Sequence, residues 1–215
     1  MHNAVTMMDN NKQTIHNITG VILAGGRAKR MGGQDKGLVS VHGQPMIKLI
    51  IEQLALQVNG IIINANRNIE QYKKFNYPVI SDHDSDDFYG PLAGMLSAMK
   101  ASNTDYILSV PCDSPFLPSD LSERLLTELL NHNSDISVVH DGERMQPVFA
   151  LIKTNLADSL QAFLDNGDRK IDLWYKQHHM VLADLSDCKN ISLNINTPDE
   201  LQKLEQQLSE RKQAC

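Results

Sequence analysis

Residues 18–37 carry the strongest chemical signal in the chain: Ile18-Thr-Gly-Val-Ile-Leu-Ala-Gly-Gly-Arg-Ala-Lys-Arg-Met-Gly-Gly-Gln-Asp-Lys-Gly37. Val21, Ile22 and Leu23 form a short apolar run suited to a strand covered on both faces. Gly25 and Gly26 then let the backbone approach a ligand closely, with amides free to point at phosphate oxygens. Arg27, Lys29, Arg30 and Lys36 gather positive charge around this loop, opposed by Asp35, in a chain of net charge −6. A local basic cluster on an acidic protein fits a triphosphate-binding loop better than a solvated turn. The spacing matches neither common nucleotide fingerprint. A Walker loop has glycine before its lysine and Ser or Thr after it, whereas Lys36 lies between Asp35 and Gly37, and the glycines do not follow Gly-x-Gly-x-x-Gly.

Composition narrows the class further. The 215 residues, 41% of them hydrophobic, are enough for one well-packed soluble domain. An acidic balance argues against a nucleic-acid partner, which calls for a broad basic face. Cys112, Cys188 and Cys215 are odd in number and widely separated, so neither a disulfide framework nor a zinc site is expected, and a reducing cytoplasm fits. Residues 1–17 are polar and lack a signal peptide's apolar core; they read as a disordered tail before a domain over residues 18–210. No apolar run is long enough to span a bilayer, so no membrane partner is expected.

The elements that must position the loop alternate between strand and helix. Ile47, Ile50, Ile51, Leu54 and Val58 follow helical spacing, and Ile61-Ile62-Ile63 follows as a buried strand. A helix over Leu92 to Lys100 precedes a strand at Tyr106 to Val110, and a further helix starting near Pro118 turns Leu121, Leu125 and Leu129 inward. Strands at Ile136 to Val139 and Val148 to Ile152 bracket the turn Asp141-Gly142. Leu201, Leu204 and Leu208 stripe a terminal helix that Thr197 caps and Pro198 begins. The expected fold is α/β, a Rossmann-like three-layer arrangement around an open, mostly parallel sheet with a mixed second half.

In such sheets the ligand lies beyond the carboxyl ends of the strands. Four strand ends deliver polar groups there: the glycine loop, Asn64-Ala65-Asn66, Ser81-Asp82 and Pro111-Cys112-Asp113. Asp113 is the metal candidate, because Mg²⁺ favours one or two carboxylates completed by phosphate oxygens and water. The alternative for Asp113 is helix capping. Cys112 reads as a small buried hydrophobe, and the acidic run Asp84, Asp86 and Asp87 as a solvated loop.

Five segments in order carry a resemblance to a known family. They are Leu23-Ala-Gly-Gly with Arg30-Met-Gly-Gly and Asp35-Lys36, Gly90-Pro-Leu-Ala-Gly94, Pro111-Cys-Asp-Ser-Pro-Phe-Leu-Pro118, Gln146-Pro-Val-Phe-Ala-Leu151 and Asn194-Ile-Asn-Thr-Pro198. The series resembles the motif set of the molybdenum cofactor guanylyltransferases, the molybdopterin-guanine dinucleotide biosynthesis protein A family. The first motif alone marks a wider nucleotidyltransferase superfamily. The resemblance implies a cytoplasmic, Mg²⁺-dependent enzyme that transfers GMP from GTP to the terminal phosphate of molybdopterin, releasing pyrophosphate. The N-terminal half then binds GTP and the C-terminal half the acceptor.

Carried over by motif, the nucleotide site falls on Leu23, Ala24, Gly25, Lys36, Asn64, Asp82 and Asp113, with Asp113 the Mg²⁺ ligand; Gly26, Pro91 and Gly94 are further candidates for the same site. Lys36 would follow the phosphates, Arg30 would hold the departing pyrophosphate, and Asp82 or Asn64 would accept the N–H donors of guanine. Pro91 is either a helix-starting proline or a flat surface against the base. Ala28 stands where many relatives have Ser. The acceptor site draws on Arg144, Gln146, Arg169, Lys170, Asn194 and Asn196, of which Asn196 matches the family motif. Molybdenum insertion proteins or molybdoenzyme chaperones are candidate partners, and a monomer is expected. The competing readings are a related cytidylyltransferase, a sugar-phosphate nucleotidyltransferase, and a GTP-binding adaptor that delivers cofactor without turnover.

Overall fold

The apolar run Val21-Ile22-Leu23 lies inside a seven-stranded sheet, beside its central strand. The computed structural model describes residues 17–26, 35–82, 90–188, 190–191, 193–195 and 197–213. Strand β1 (Ile18–Leu23) is buried along almost its whole length, and it pairs in parallel with β4 (Gly60–Asn64) on one side and β6 (Tyr106–Pro111) on the other. Burial on both faces explains why these strands are continuous apolar runs without alternation. The two-residue strand β5 (Val79–Ile80) closes one edge, parallel to β4.

The second half reverses direction. β8 (Met145–Lys153) lies antiparallel to both β6 and β7 (Ile136–His140), and β9 (Met180–Asp184) pairs in parallel with β7. The sheet order is β5-β4-β1-β6-β8-β7-β9. This is the mostly parallel, partly mixed sheet that the sequence pattern implies. A separate small hairpin pairs β2 (Ser40–Val41) with β3 (Gln44–Pro45).

Helices cover both faces. On one face α1 (Met46–Leu54) and α4 (Leu121–Asn131) pack Ile47, Ile50, Leu54, Leu121 and Leu125 against Ile18, Ile22 and Ile63 of the sheet. On the other, α3 (Pro91–Ala101), α5 (Ala157–Asp165) and α6 (Ile171–Tyr175) bury Leu92, Met95, Leu160, Phe163 and Trp174 against Val21, Ile107 and Val138. The short α2 (Ile69–Tyr72) follows β4. The terminal helix α7 (Pro198–Gln213) seats Leu201 and Leu204 beside Val41, Met46 and Phe116. Its start is a capping box: Thr197 N donates to Glu200 Oε2 at 2.9 Å, and Glu200 N donates to Thr197 Oγ1 at 3.3 Å.

Two expectations need correction. Helix α1 ends at Leu54, so Val58 sits in the following turn, where it still packs against the core. The helix expected near Pro118 begins at Leu121, with Asp120 at its N-cap. Among the described residues, no helix is long and apolar enough to cross a membrane.

Candidate active site

Parallel register brings the ends of β1, β4, β5 and β6 level with one another. Leu23 lies opposite both Asn64 and Pro111, and Asn64 lies opposite Ile80. The ladder continues one residue further, with Ala24 N donating to Asn64 O at 2.8 Å and Ala65 N to Ile80 O at 2.8 Å. The residues that follow each strand therefore emerge along one line. Because β8 runs the opposite way, the beginning of β8 reaches the same edge.

The result is a cleft of about 360 Å³. Leu23, Ala24, Gly25, Gly26, Lys36, Asn64, Asp82, Pro91 and Asp113 all line it, so nine of the expected nucleotide-site residues converge. Gly94 lies behind the lining. A Cβ there would come within 2.8 Å of Leu23 Cδ2 and of Asn64 Cγ, and closer still to the Asn64 amide oxygen. Only glycine leaves α3 room to hold Asn64 in place. Arg30 and Asn196 lie outside the described residues, as do Ala28 and the acidic run at Asp84, Asp86 and Asp87.

Two polar groupings in this cleft are built on the expected residues. Lys36 Nζ donates to Asp113 Oδ2 at 2.8 Å, with both side chains largely buried. Asp113 lies well before α4 and caps no helix, which removes the capping alternative. The other pair is built on Asp82. Asn64 Nδ2 donates to Asp82 Oδ1 at 2.9 Å and Asn66 Nδ2 to Asp82 Oδ2 at 2.7 Å, while Asp82 N donates to Asn66 Oδ1 at 2.9 Å. An ionised carboxylate has about four acceptor positions, so each oxygen keeps capacity for a ligand donor. The Asn64 side chain is fixed by this bond, with its oxygen directed toward Gly25 and Gly94.

Cys112 sits beside Asp113 and is buried. Burial pushes its thiol well above the ordinary range, and the neighbouring carboxylates of Asp113 and Asp35 add to that effect. The thiol is held protonated, which suits packing and not nucleophilic attack.

The acceptor-side expectations divide. Gln146 and Asn194 line the cleft, together with Pro147, Val148 and Phe149 at the start of β8. Gln146 Nε2 is oriented by a 2.6 Å bond to Asp141 Oδ2, and Ser114 Oγ donates to Asn194 Oδ1. Arg144, Arg169 and Lys170 are not part of the lining. Arg169 Nη1 is committed to the carbonyls of Leu164 and Asp168 at 2.6 Å each, Lys170 stands at the N-cap of α6, and Arg144 belongs to the exposed turn that Asp141 Oδ1 organises. Of these three, the Arg169 guanidinium is the one tied by its side chain to local structure.

Asp35, Arg67 and Tyr72 were not among the expected site residues. Asp35 and Arg67 line the cleft, and Arg67 Nε lies 3.5 Å from Asp35 Oδ2. Arg67 could have been noticed from its place three residues past the end of β4. Asp35 reads in sequence as a charge opposing the basic loop, and its burial depends on contacts more than 30 residues away in sequence.

Comparison with known proteins agrees with this arrangement. A model of the MobA-like NTP transferase domain matches residues 20–181. A molybdenum cofactor guanylyltransferase of Shewanella sediminis (strain HAW-EB3) is 53% identical over 192 residues, covering 89% of this chain and 97% of its own. One from Shewanella frigidimarina (strain NCIMB 400) is also 53% identical, with the same coverage. Among solved structures, molybdopterin-guanine dinucleotide biosynthesis protein A from Archaeoglobus fulgidus superposes with a TM-score of 0.74 at 22% identity, covering 89% of this chain and 99% of its own. A CMP:2-keto-3-deoxy-manno-octonic acid synthetase complexed with CTP superposes at 0.69 with 11% identity, covering 91% and 99%. At these identities the two structures speak for the fold alone.

Proposed function

Because the chain belongs to the MobA-like NTP transferase family, we propose that it is a guanylyltransferase that moves GMP from GTP to the terminal phosphate of molybdopterin, yielding the guanine dinucleotide form of the cofactor and pyrophosphate. The observation that carries this reading is the single cleft in which Lys36 and Asp113 meet at one side and Asn64 and Asp82 at the other. The first pair suits phosphates; the second presents acceptors of the kind that guanine's pairing-edge donors require. A triphosphate laid across the strand ends would meet both.

The chemistry asks the protein for position and charge, with no covalent intermediate on a side chain. Gly25 and Gly26 admit the phosphates close to backbone amides. Lys36 supplies a compact positive charge that can stay with the phosphates as pyrophosphate leaves, and Arg30 in the basic loop would assist it. Gln146 and Asn194, which line the same cleft, would orient the acceptor phosphate for in-line attack, and the family motif adds Asn196 to this role.

Asp113 fits Mg²⁺. Among the described residues no group of three or more His, Cys, Asp or Glu side chains could cage a metal ion. One carboxylate at a phosphate site is the donor set from which Mg²⁺ is held together with substrate oxygens and water. When bound there, Mg²⁺ would neutralise charge on the phosphates during transfer. A reducing cytoplasmic setting and a monomeric enzyme fit this reading, with molybdenum insertion proteins or molybdoenzyme chaperones as candidate partners. The two domain limits of the reading are a tail over residues 1–17 and a catalytic domain over residues 18–210.

A nucleotide panel with molybdopterin present and pyrophosphate release as readout tests the proposal. Release with GTP and not with CTP supports guanylyl transfer. Release with CTP points to the cytidylyl relative, release dependent on a hexose phosphate to the sugar-phosphate enzymes, and tight GTP binding without release to an adaptor.

A further inference from the structure

Lys36 can serve a phosphate only if its backbone is held, and the holding is done by its neighbour. Asp35 is 6% exposed. Its carbonyl accepts Leu38 N at 3.0 Å, which starts the short 3₁₀ turn Lys36–Leu38. Its carboxylate accepts Tyr72 Oη at 2.5 Å and Asn68 Nδ2 at 3.1 Å, with Arg67 Nε 3.5 Å away. All three partners belong to the segment that leads from β4 through α2.

Tyr72 touches the chain on both sides of Lys36. Its hydroxyl bonds Asp35 before the lysine, and a Cβ on Gly37 after the lysine would lie 2.7 Å from the same oxygen. Tyr72 is fully buried, so its phenol has little freedom to turn elsewhere. Burial also pushes the phenol far above its ordinary range, and it remains a donor to Asp35 at any working pH.

From these contacts we infer that Tyr72 is a positioning residue for guanylyl transfer, acting through Asp35 to fix Lys36 at the phosphates. The inference deepens the proposed guanylyl transfer and rests on it. Without the hydroxyl, a buried carboxylate loses its shortest hydrogen bond and turns toward its remaining partners or water. Lys36 then moves with the turn. A displacement of about 1 Å at a reacting centre can cost around 10²-fold in rate.

The test is a double-mutant cycle on full-length protein: wild type, Tyr72→Phe, Lys36→Ala and the two together. GMP transfer from GTP is measured with GTP affinity by calorimetry, and near-ultraviolet circular dichroism reports the fold. Tyr72→Phe keeps the ring and is expected to lower kcat/KM by about 10- to 10²-fold and to weaken GTP binding. In the Lys36→Ala background the same change is expected to cost nothing further, a coupling that a merely structural role would not produce. Asn68→Gly removes the second donor while suiting the φ of +53° at that position, and its smaller loss should also vanish without Lys36; it decides the matter if Tyr72→Phe does not fold. Wild-type kcat/KM in Tyr72→Phe, or an equal loss with and without Lys36, overturns the inference. If the wild type transfers no GMP, the proposed function fails on its own, and the cycle on GTP affinity still decides the role of Tyr72.

Discussion

Asn64 and Asp82, at the ends of adjacent parallel strands, are joined by a 2.9 Å hydrogen bond in which the Asn64 amide donates to the carboxylate. The bond does two things at once. It leaves the second lone pairs of Asp82 for a ligand, and it fixes which atom of Asn64 is the acceptor. Under the proposed function, guanine recognition would be a property of the pair. The sequence left open which of Asp82 and Asn64 would read a base, and the structure joins the two candidates in one hydrogen-bonded unit.

Asp82→Ala is expected to reduce the preference for GTP over ATP by about ten- to a hundredfold. A buried acceptor facing adenine without a donor costs roughly 1–3 kcal/mol, and removing the carboxylate removes that penalty and frees Asn64 as well. Competition binding with the two nucleotides checks this. Retention of the full guanine preference would place base reading on backbone groups near Gly94.

Gly94→Ala is expected to disturb the same unit from behind. The added methyl would overlap Asn64 and Leu23, forcing one or both to shift. Overpacking of this kind costs about 1–3 kcal/mol in stability. The measurable outcome is a lowered Tm together with weakened GTP binding, and a variant with unchanged GTP affinity would show that α3 does not hold Asn64 for the nucleotide.

Asp113→Asn is expected to lower the rate of transfer by at least about 10²-fold, by analogy with the loss of other electrostatic stabilisers. The isosteric amide keeps a partner for Lys36 while losing the charge that suits Mg²⁺. Titration of activity against Mg²⁺ separates the two effects: a wild-type rate at limiting Mg²⁺ removes Asp113 from the metal role.

His178 predicts a pH dependence of stability remote from the cleft. Its Nε2 lies 3.0 Å from Ser159 Oγ, and its ring packs T-shaped with buried Trp174, the ring centres 5.1 Å apart. Burial lowers its pKa, with the nearby charge of Asp135 opposing in part. The folded state thus disfavours the imidazolium, so this contribution is present above the ordinary imidazole value of 6.5 and is lost as pH falls through the lowered folded value. Denaturant unfolding should show stability declining as pH drops from 6.5 towards that lowered value and levelling off below it, and His178→Gln should flatten the decline. An unchanged pH slope in that variant would assign it to other groups.

The sequence was most readable where burial is two-sided. Val21-Ile22-Leu23 and Ile61-Ile62-Ile63 announce β1 and β4 because a strand covered on both faces must be apolar throughout. The residues just past their ends follow from the general geometry of parallel sheets, so the glycine loop, Asn64, Asp82 and Asp113 could be gathered before any coordinates. The two-residue strands β2 and β3 carry too short a pattern to read. The edge strand β9 mixes exposed Leu182 with buried Ala183, which blurs its alternation. Leu160, Phe163 and Leu164 have the helical spacing of α5 and form its buried face. Tyr72 and Asp35 were hidden for a different reason: each is an ordinary residue until the fold brings their side chains together.

The most direct test of the central claim is the mass of the product formed from GTP, Mg²⁺ and molybdopterin by the purified protein. Guanylyl transfer predicts a species with the mass of molybdopterin joined to GMP through a pyrophosphate linkage, with one pyrophosphate released for each. Absence of that adduct under conditions where GTP is bound, or formation of a CMP adduct in its place when CTP is supplied, would contradict it.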